Sequence, residues 1–362
     1  MKLPAASPAS FLSAPLPGVV APAEPRIRGL LDAFLVTATM PFNVQEAMPL
    51  YVGNKVYLLG GLESSGMTTN QILVADVHDD GSLGGFSLLP DNKLVVARHK
   101  GWATRVGNFV YVLGGYASAR SNATDKVERA TVLTDGSMGP FAEVPGVKLA
   151  AARGAFAGLN TGTFLTVMGG ESAFDMTSMS NFVATTERAA IGEDGAIGAF
   201  QRVDTPLVTK RSGLSGFRIG DFFYVAGGMS PGESFTKVAL GTLERAVIGA
   251  DGAIGAFSAV SSALSAPRHD HGVVTLADYV YFLGGYSGRD FLTALERGTF
   301  EASGDLVGLG TDGVSSLAES YSGGVVVQIA DKAVYYIGGY NFQNIGGLAK
   351  VQKAPILKET IQ

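Results

Sequence analysis

A Gly-Gly pair closes an apolar run six times in this chain: Gly60-Gly61, Gly114-Gly115, Gly169-Gly170, Gly227-Gly228, Gly284-Gly285 and Gly338-Gly339. The intervals are 54, 55, 58, 57 and 54 residues, and a period of this size marks a stack of like supersecondary units. Three residues before each pair stands Tyr57, Tyr111, Thr166, Tyr224, Tyr281 or Tyr335. Before that comes a turn pair: Gly53-Asn54, Gly107-Asn108, Thr161-Gly162, Gly220-Asp221, Ala277-Asp278 and Ala330-Asp331. Gly, Asn and Asp accept the positive φ of tight hairpins, so each unit opens as strand, turn, strand, Gly-Gly.

A second hairpin follows. It runs from Glu128-Arg129 to Phe141, from Glu187-Arg188 to Phe200, from Glu244-Arg245 to Phe257, and onward from Glu296-Arg297. A glycine trails each glutamate by eight residues (Gly136, Gly195, Gly252, Gly304), and Asp135, Asp194 and Asp251 complete the Asp-Gly hairpin signal in three of them. Four short strands per period, with no helical periodicity between them, specify an all-β chain: a six-bladed β-propeller of four-stranded antiparallel blades. The sixth repeat reaches Val351-Gln352-Lys353 and stops at Gln362, short of its outer strand. Near the start, Gly29 and Phe34 repeat the spacing of Gly195 and Phe200. The N-terminal strand, about residues 28–44, is therefore expected to complete the last blade and close the ring by backbone hydrogen bonds.

On these residues the chain resembles the kelch-repeat family over roughly residues 28–362. The Gly-Gly pairs, the preceding Tyr, and an aromatic where the outer strand begins carry the resemblance: Phe34, Phe86, Phe141, Phe200 and Phe257, with Leu309 in the fifth repeat. Kelch repeats usually hold Trp at that last position, and the Asp-Gly-x-x-Gly-x-Phe form is similar to a divergent bacterial or phage-type subset. The resemblance implies the propeller and no single activity, since propellers host enzymes, lectins and scaffolds alike.

Composition removes several classes of function. Charged residues make up 16% of the 362, against about 25% in an average domain, and the net charge of −5 disfavours a nucleic-acid partner. No run of roughly 18 apolar residues exists for a membrane span. With no cysteine, disulfides, thiolate metal sites and thiol catalysis are excluded, as is the Cys-crosslinked Tyr of galactose-oxidase-like copper propellers. No phosphate loop, nucleophile elbow or His-Glu-x-x-His motif is present, and no cofactor or metal is expected.

The recurrence of Glu128, Glu187, Glu244 and Glu296 beside Arg129, Arg188, Arg245 and Arg297 points to framework ion pairs, because an active site occurs once. Sixteen residues before each Gly-Gly lie Val44, Arg98, Arg153, Arg211, Arg268 and Ser322. If these line one channel mouth, the four arginines form a positive ring suited to a carboxylate or phosphate; alternatively each grips blade-edge carbonyls or a nearby acid. His269-Asp270-His271 is the one histidine cluster, and His99 is the equivalent of His269 on another blade. Alternation along a strand would place both imidazoles of the cluster on one face. Tyr116, Tyr286 and Tyr340 directly follow Gly-Gly pairs, and Phe342 lies in the last of these loops, which permits either a carbohydrate surface or loop packing.

Residues 1–27 form a separate segment. They hold six of the fifteen prolines, many Ala and Ser, and the apolar Phe11, Leu12, Leu16, Val19 and Val20. Such a composition favours an extended arm and cannot build a packed domain. Together these features point to a non-enzymatic binding or structural module. It would be displayed on a virion appendage or cell-surface complex, docked to a protein partner through the arm, and would recognise a carbohydrate or protein through its loops. The alternatives are a sugar isomerase or mutarotase at the channel mouth, for which the kelch-like sialic acid mutarotases are the nearest enzyme comparison, and a scaffold for acidic peptides.

Overall fold

A computed structural model describes residues 29–118, 122–173, 179–233, 236–301, 303–341, 343 and 349–357. The arm residues Phe11, Leu12, Leu16, Val19 and Val20, and loop residue Phe342, lie outside them. The chain opens with β1 (Leu30–Leu31) and β2 (Leu35–Thr39), which are set aside for the far end. Blade 1 follows with β3 (Val44–Gln45), β4 (Met48–Val52), β5 (Lys55–Glu63), β6 (Thr68–Asp76) and β7 (Ser87–Leu88). Blade 2 holds β8 (Trp102–Val106), β9 (Phe109–Leu113), β10 (Lys126–Thr131) and β11 (Ala142–Lys148); blade 3 holds β12 (Ala157–Asn160), β13 (Phe164–Met168), β14 (Thr186–Ala190) and β15 (Gln201–Val203).

In blade 4, β16 (Ser215–Ile219) and β17 (Phe222–Ala226) are parted from the outer pair by an inserted hairpin, β18 (Met229–Pro231) and β19 (Lys237–Ala239). The blade then resumes with β20 (Thr242–Val247) and β21 (Ser258–Ala263). Blade 5 comprises β22 (Gly272–Leu276), β23 (Tyr279–Leu283), β24 (Glu296–Phe300) and β25 (Leu306–Gly310), and blade 6 comprises β26 (Val325–Ile329), β27 (Ala333–Ile337) and β28 (Lys350–Leu357). Every pairing is antiparallel, and no α-helix occurs among the described residues.

The ring closes as expected. β1 and β2 together form the missing outer strand, pairing Leu30 with Leu357, Leu35 with Lys353 and Ala38 with Val351. Innermost strands touch their neighbours all round: β4, β8, β12, β16, β22, β26 and back to β4. The apolar interior is accordingly six layers, one per joint between blades. Phe86, Phe141, Phe200 and Phe257 each enter one layer, and Phe34 packs with Leu31, Tyr281 and Tyr336 in the layer that joins blades 5 and 6.

Two repeated residues of the sequence fasten these joints. The tyrosine hydroxyls of Tyr57, Tyr111, Tyr224 and Tyr335 donate to the carbonyls of Gly136, Gly195, Gly304 and Gly81, which are the hairpin glycines of the next blade. Tyr281 finds its acceptor in Gly29 at 3.1 Å, so the N-terminal segment supplies the sixth blade's turn as well as its strand. The Gly-Gly pair works at the other end of the blade. A Cβ on the first glycine would meet the next blade's carbonyl, at 2.5 Å for Gly227 against Arg268 O, while the N–H of the second glycine donates to that same oxygen (Gly228, 2.8 Å). Close backbone approach is what excludes a side chain here.

Candidate functional site

The four arginines are not an open ring. Arg98, Arg153, Arg211 and Arg268 are buried completely, each inside its own blade. Arg153 Nη1 donates to Gly169 O at 2.9 Å and Thr185 O at 2.8 Å, and Nη2 meets Glu187 Oε1 at 2.6 Å. Arg211 repeats the pattern with Gly227, Thr242 and Glu244. Arg268 pairs with Glu296, and Arg98 with Glu128. The expectation of an anion-binding funnel is corrected on this ground: each guanidinium is buried beneath the loops, its Nη groups turned to two carbonyls and a carboxylate of its own blade and not to the channel mouth. The glutamates complete the lock by accepting backbone N–H groups from the connection that enters the blade, such as Val208 and Thr209 on Glu244. Burial lowers the arginine basicities and the paired carboxylates oppose that shift.

The arginines beside the glutamates in sequence have a different partner. Arg129, Arg188 and Arg245 lie over the rings of Phe109, Phe164 and Phe222 at 4.5, 4.6 and 4.6 Å. The ion pairs expected of the repeated Glu-Arg dipeptides therefore exist, with the arginine drawn from some thirty residues upstream.

Ser322 does not occupy the sixth place in the arginine series. The link between β26 and β27 is three residues, Ala330 to Lys332, rather than the expected pair, so the offset to Gly338-Gly339 grows by one. Tyr321 takes the arginine place, since its carbonyl accepts from Gly285 as Arg268 O does from Gly228.

Two residues beyond each of these positions stand Glu46, Lys100, Ala155, Gly213, Asp270 and Gly323, and all six have φ between 51° and 62° or, for Gly323, 66°. Each N–H donates to the carbonyl of its counterpart in the preceding blade: Lys100 to Glu46, Ala155 to Lys100, Gly213 to Ala155, Asp270 to Gly213, Gly323 to Asp270 and Glu46 to Gly323, at 2.7–2.9 Å. Six hydrogen bonds thus run round the axis as a closed collar. Blades 2 and 5 face each other across it, and Lys100 Nζ spans the opening to Asp270 Oδ2 at 2.9 Å while also reaching Glu46 Oε1 at 3.2 Å. Behind the carboxylates, His99 Nδ1 lies 2.8 Å from Glu46 Oε2 and His269 Nδ1 lies 2.9 Å from Asp270 Oδ2.

This axial plug is buried, and its electrostatics follow from that. Burial is the largest influence on Lys100 and would lower it, but Asp270 and Glu46 together hold the ammonium well above its ordinary range. Burial would likewise raise both carboxyls, and Lys100 with the neighbouring histidine outweighs it, keeping Glu46 and Asp270 below the usual carboxylate values. Four of the six collar residues hold this left-handed backbone without being glycine, so glycine at 213 and 323 answers to space as well. A Cβ at 213 would stand 2.9 Å from Asp270 Oδ1, and one at 323 would stand 2.9 Å from Glu46 Cγ.

The histidine cluster does not converge. Asp270 has φ 51°, so residues 269–271 are not an extended strand and the two rings part. His269 turns to Asp270 and Tyr286, whereas His271 enters the layer between blades 4 and 5 beside Gly227 and Phe282. Its counterparts there are Phe156 and Leu214. Neither ring nitrogen of His271 finds a partner, and burial pushes its pKa down to about 3. Among the described residues no group of three or more acidic or histidine side chains is placed to hold a metal ion.

The loop aromatics form a lid over the plug rather than an exposed platform. Tyr116 is fully buried against His99, and Tyr286, Phe291 and Tyr340 pack in series with centroids 4.9 and 5.6 Å apart. On the other side of the collar lies an axial cavity of about 300 Å³. Glu46, Lys100 and Asp270 face it together with Trp102, Phe156 and Val326. Exposed apolar side chains on the collar face sit instead on loops and on the inserted hairpin: Met67, Val95, Val208 and Val238.

The chain matches no family model and no curated protein. Among solved structures it is similar to one titled "Structure of YjhT", at 11% identity over 86% of this chain and 95% of that one, with a TM-score of 0.62. At that identity the likeness concerns the fold. Sequence reasoning missed the collar because backbone groups make it, and its six side chains share no type.

Proposed function

We propose that this propeller is a non-enzymatic binding module, attached to a larger assembly through residues 1–27 and meeting a protein partner with the connections on its collar face. The reading rests on one observation above all. The arginines, carboxylates and lysine that a channel-mouth catalyst would need are spent on one another, as the Arg–Glu locks and the Glu46–Lys100–Asp270 plug. The aromatics that would cradle a sugar are packed over that plug, while Met67, Val95, Val208 and Val238 are left to solvent on the same face. This arrangement favours a protein surface over a carbohydrate. The kelch-like spacing of Gly-Gly and Tyr supports membership of a displayed, divergent kelch-type group. Deleting residues 1–27 tests the attachment: the shortened chain should fold with an unchanged circular dichroism spectrum and fail to co-purify with the assembly. If it joins every complex that the full chain joins, the reading is wrong.

The enzymatic reading has one observation in its favour, the axial cavity where two carboxylates and an ammonium meet. Acid and base groups in one cavity suit proton transfer on a small sugar. Sialic acid and common aldose anomers followed by NMR would show accelerated interconversion under that reading, and the spontaneous rate under the one preferred.

A further inference from the structure

Among the described residues each blade ends in an outer strand whose far edge is unpaired, and an exposed edge is a template for another strand unless something blunts it. Four of the six edges are blunted, and a fifth, β21, presents mainly serine and alanine. β7 is two residues long and is followed by Pro90; β15 is three residues long, carries Arg202 and is followed by Pro206. β11 contains Glu143, Pro145 and Gly146 at φ 74°. β21, Ser-Ala-Val-Ser-Ser-Ala, is tied to the next blade by Ser262 Oγ, which donates to Leu306 O at 2.7 Å. β25 is interrupted by Gly308 and Gly310.

β2 has none of these devices. Its sequence Leu-Val-Thr-Ala-Thr carries no charge, proline or glycine. Leu35 is 64% exposed and Val36 42%, and Leu357 at the end of the adjoining strand is 41% exposed. A register shift does occur between Val36 and Ala38, but blades 2, 4 and 5 have the same shift and it does not set β2 apart.

We propose that β2 is a homodimer joint, in which two copies pair their β2 edges antiparallel about a two-fold axis. A second copy fits for electrostatic reasons. Each chain carries a net −5, so two copies repel at long range, and β2 is an outer edge with no charge of either sign to repel its own image. In any antiparallel register over Leu35–Thr39, apolar or threonine side chains meet one another across the joint, the pairs that stabilise sheets. The two five-stranded sheets of blade 6 would become one continuous sheet. This inference does not depend on what the arm binds.

The test is the mass of the full-length protein in solution by light scattering across a dilution series, beside the Leu35→Lys/Val36→Lys variant. Both side chains point to solvent, so the variant should keep the β-sheet dichroism and melting temperature of the parent. The joint predicts twice the 37.4 kDa chain mass for the parent and the single mass for the variant. A parent that stays single at the highest concentration overturns it, as does a double mass that survives in the variant. Hydrogen exchange at the β2 amides covers the remaining case. Protection in a single-mass parent would give the edge to the chain's own N-terminal residues, and that too overturns the joint.

Discussion

In blades 2 to 5 a buried arginine and glutamate meet behind the innermost strand, whereas in blade 1 the same two places hold Val44 and Leu73 and in blade 6 Tyr321 and Gln352. The geometry is otherwise shared. Gln352 Oε1 still accepts a backbone N–H from the incoming connection, at Glu319, as each glutamate does. The seam blades therefore show that the position needs a filled volume and does not need a charge. Two ions removed from water regain that cost only through each other, so the pair is indispensable once present and replaceable as a unit. This is why four copies of an arginine can look like a ligand ring in sequence and be framework in space.

The largest effect expected of a single change follows from that contrast. Glu244→Leu leaves Arg211 buried, charged and without its carboxylate, and should cost about 3–5 kcal/mol in urea unfolding. Leu73 and Gln352 are the controls, since Leu73→Ala and Gln352→Leu remove no charge.

The histidine in the joint between blades 4 and 5 comes next. His271 is held neutral with a pKa near 3, against 6.5 for a free imidazole. Protons therefore bind the unfolded chain first, and stability falls as pH drops from about 6.5 toward 3, by up to about 5 kcal/mol over that window. His271→Phe restores the residue type of Phe156. It should flatten that acid limb in melting curves recorded from pH 7 to 4, and an unaltered limb would show that His271 is not its source.

Smaller effects separate the tyrosine-latched joints from the one without a latch. Tyr111→Phe removes the hydroxyl that reaches Gly195 and should cost about 1 kcal/mol. Thr166, in the equivalent place, buries a hydroxyl with no partner, so Thr166→Val should be neutral or slightly stabilising. The joint between blades 3 and 4 is instead strapped at the collar face, where Lys237 of the inserted hairpin meets Glu171 at 2.7 Å. Equal losses from both changes would mean that the hydroxyls do not distinguish the joints.

Blade number, closure and turns were legible because turn chemistry and period are local. Gly29 and Phe34 announced the seam by spacing alone. The functional reading was harder for three physical reasons. Arg98 and Glu128 are thirty residues apart, while Arg129 stands beside Glu128 and is drawn to Phe109 instead. A single added residue before Ala333 moved the arginine place from Ser322 to Tyr321. The collar joins Glu46, Lys100, Ala155, Gly213, Asp270 and Gly323 through N–H and C=O groups, which every residue possesses, so no side-chain pattern records it.

Transplanting the pair of blade 1 into blade 3 reaches the framework claim most directly. Urea unfolding of Arg153→Val, Glu187→Leu and the double variant forms a closed thermodynamic cycle. The account predicts that each single change costs about 3–5 kcal/mol and that the double variant recovers to within about 2 kcal/mol of the parent, since neutral residues already serve these places in blade 1. Losses that simply add in the double variant would contradict it, because two residues that stabilise the blade independently are not each other's counter-ion.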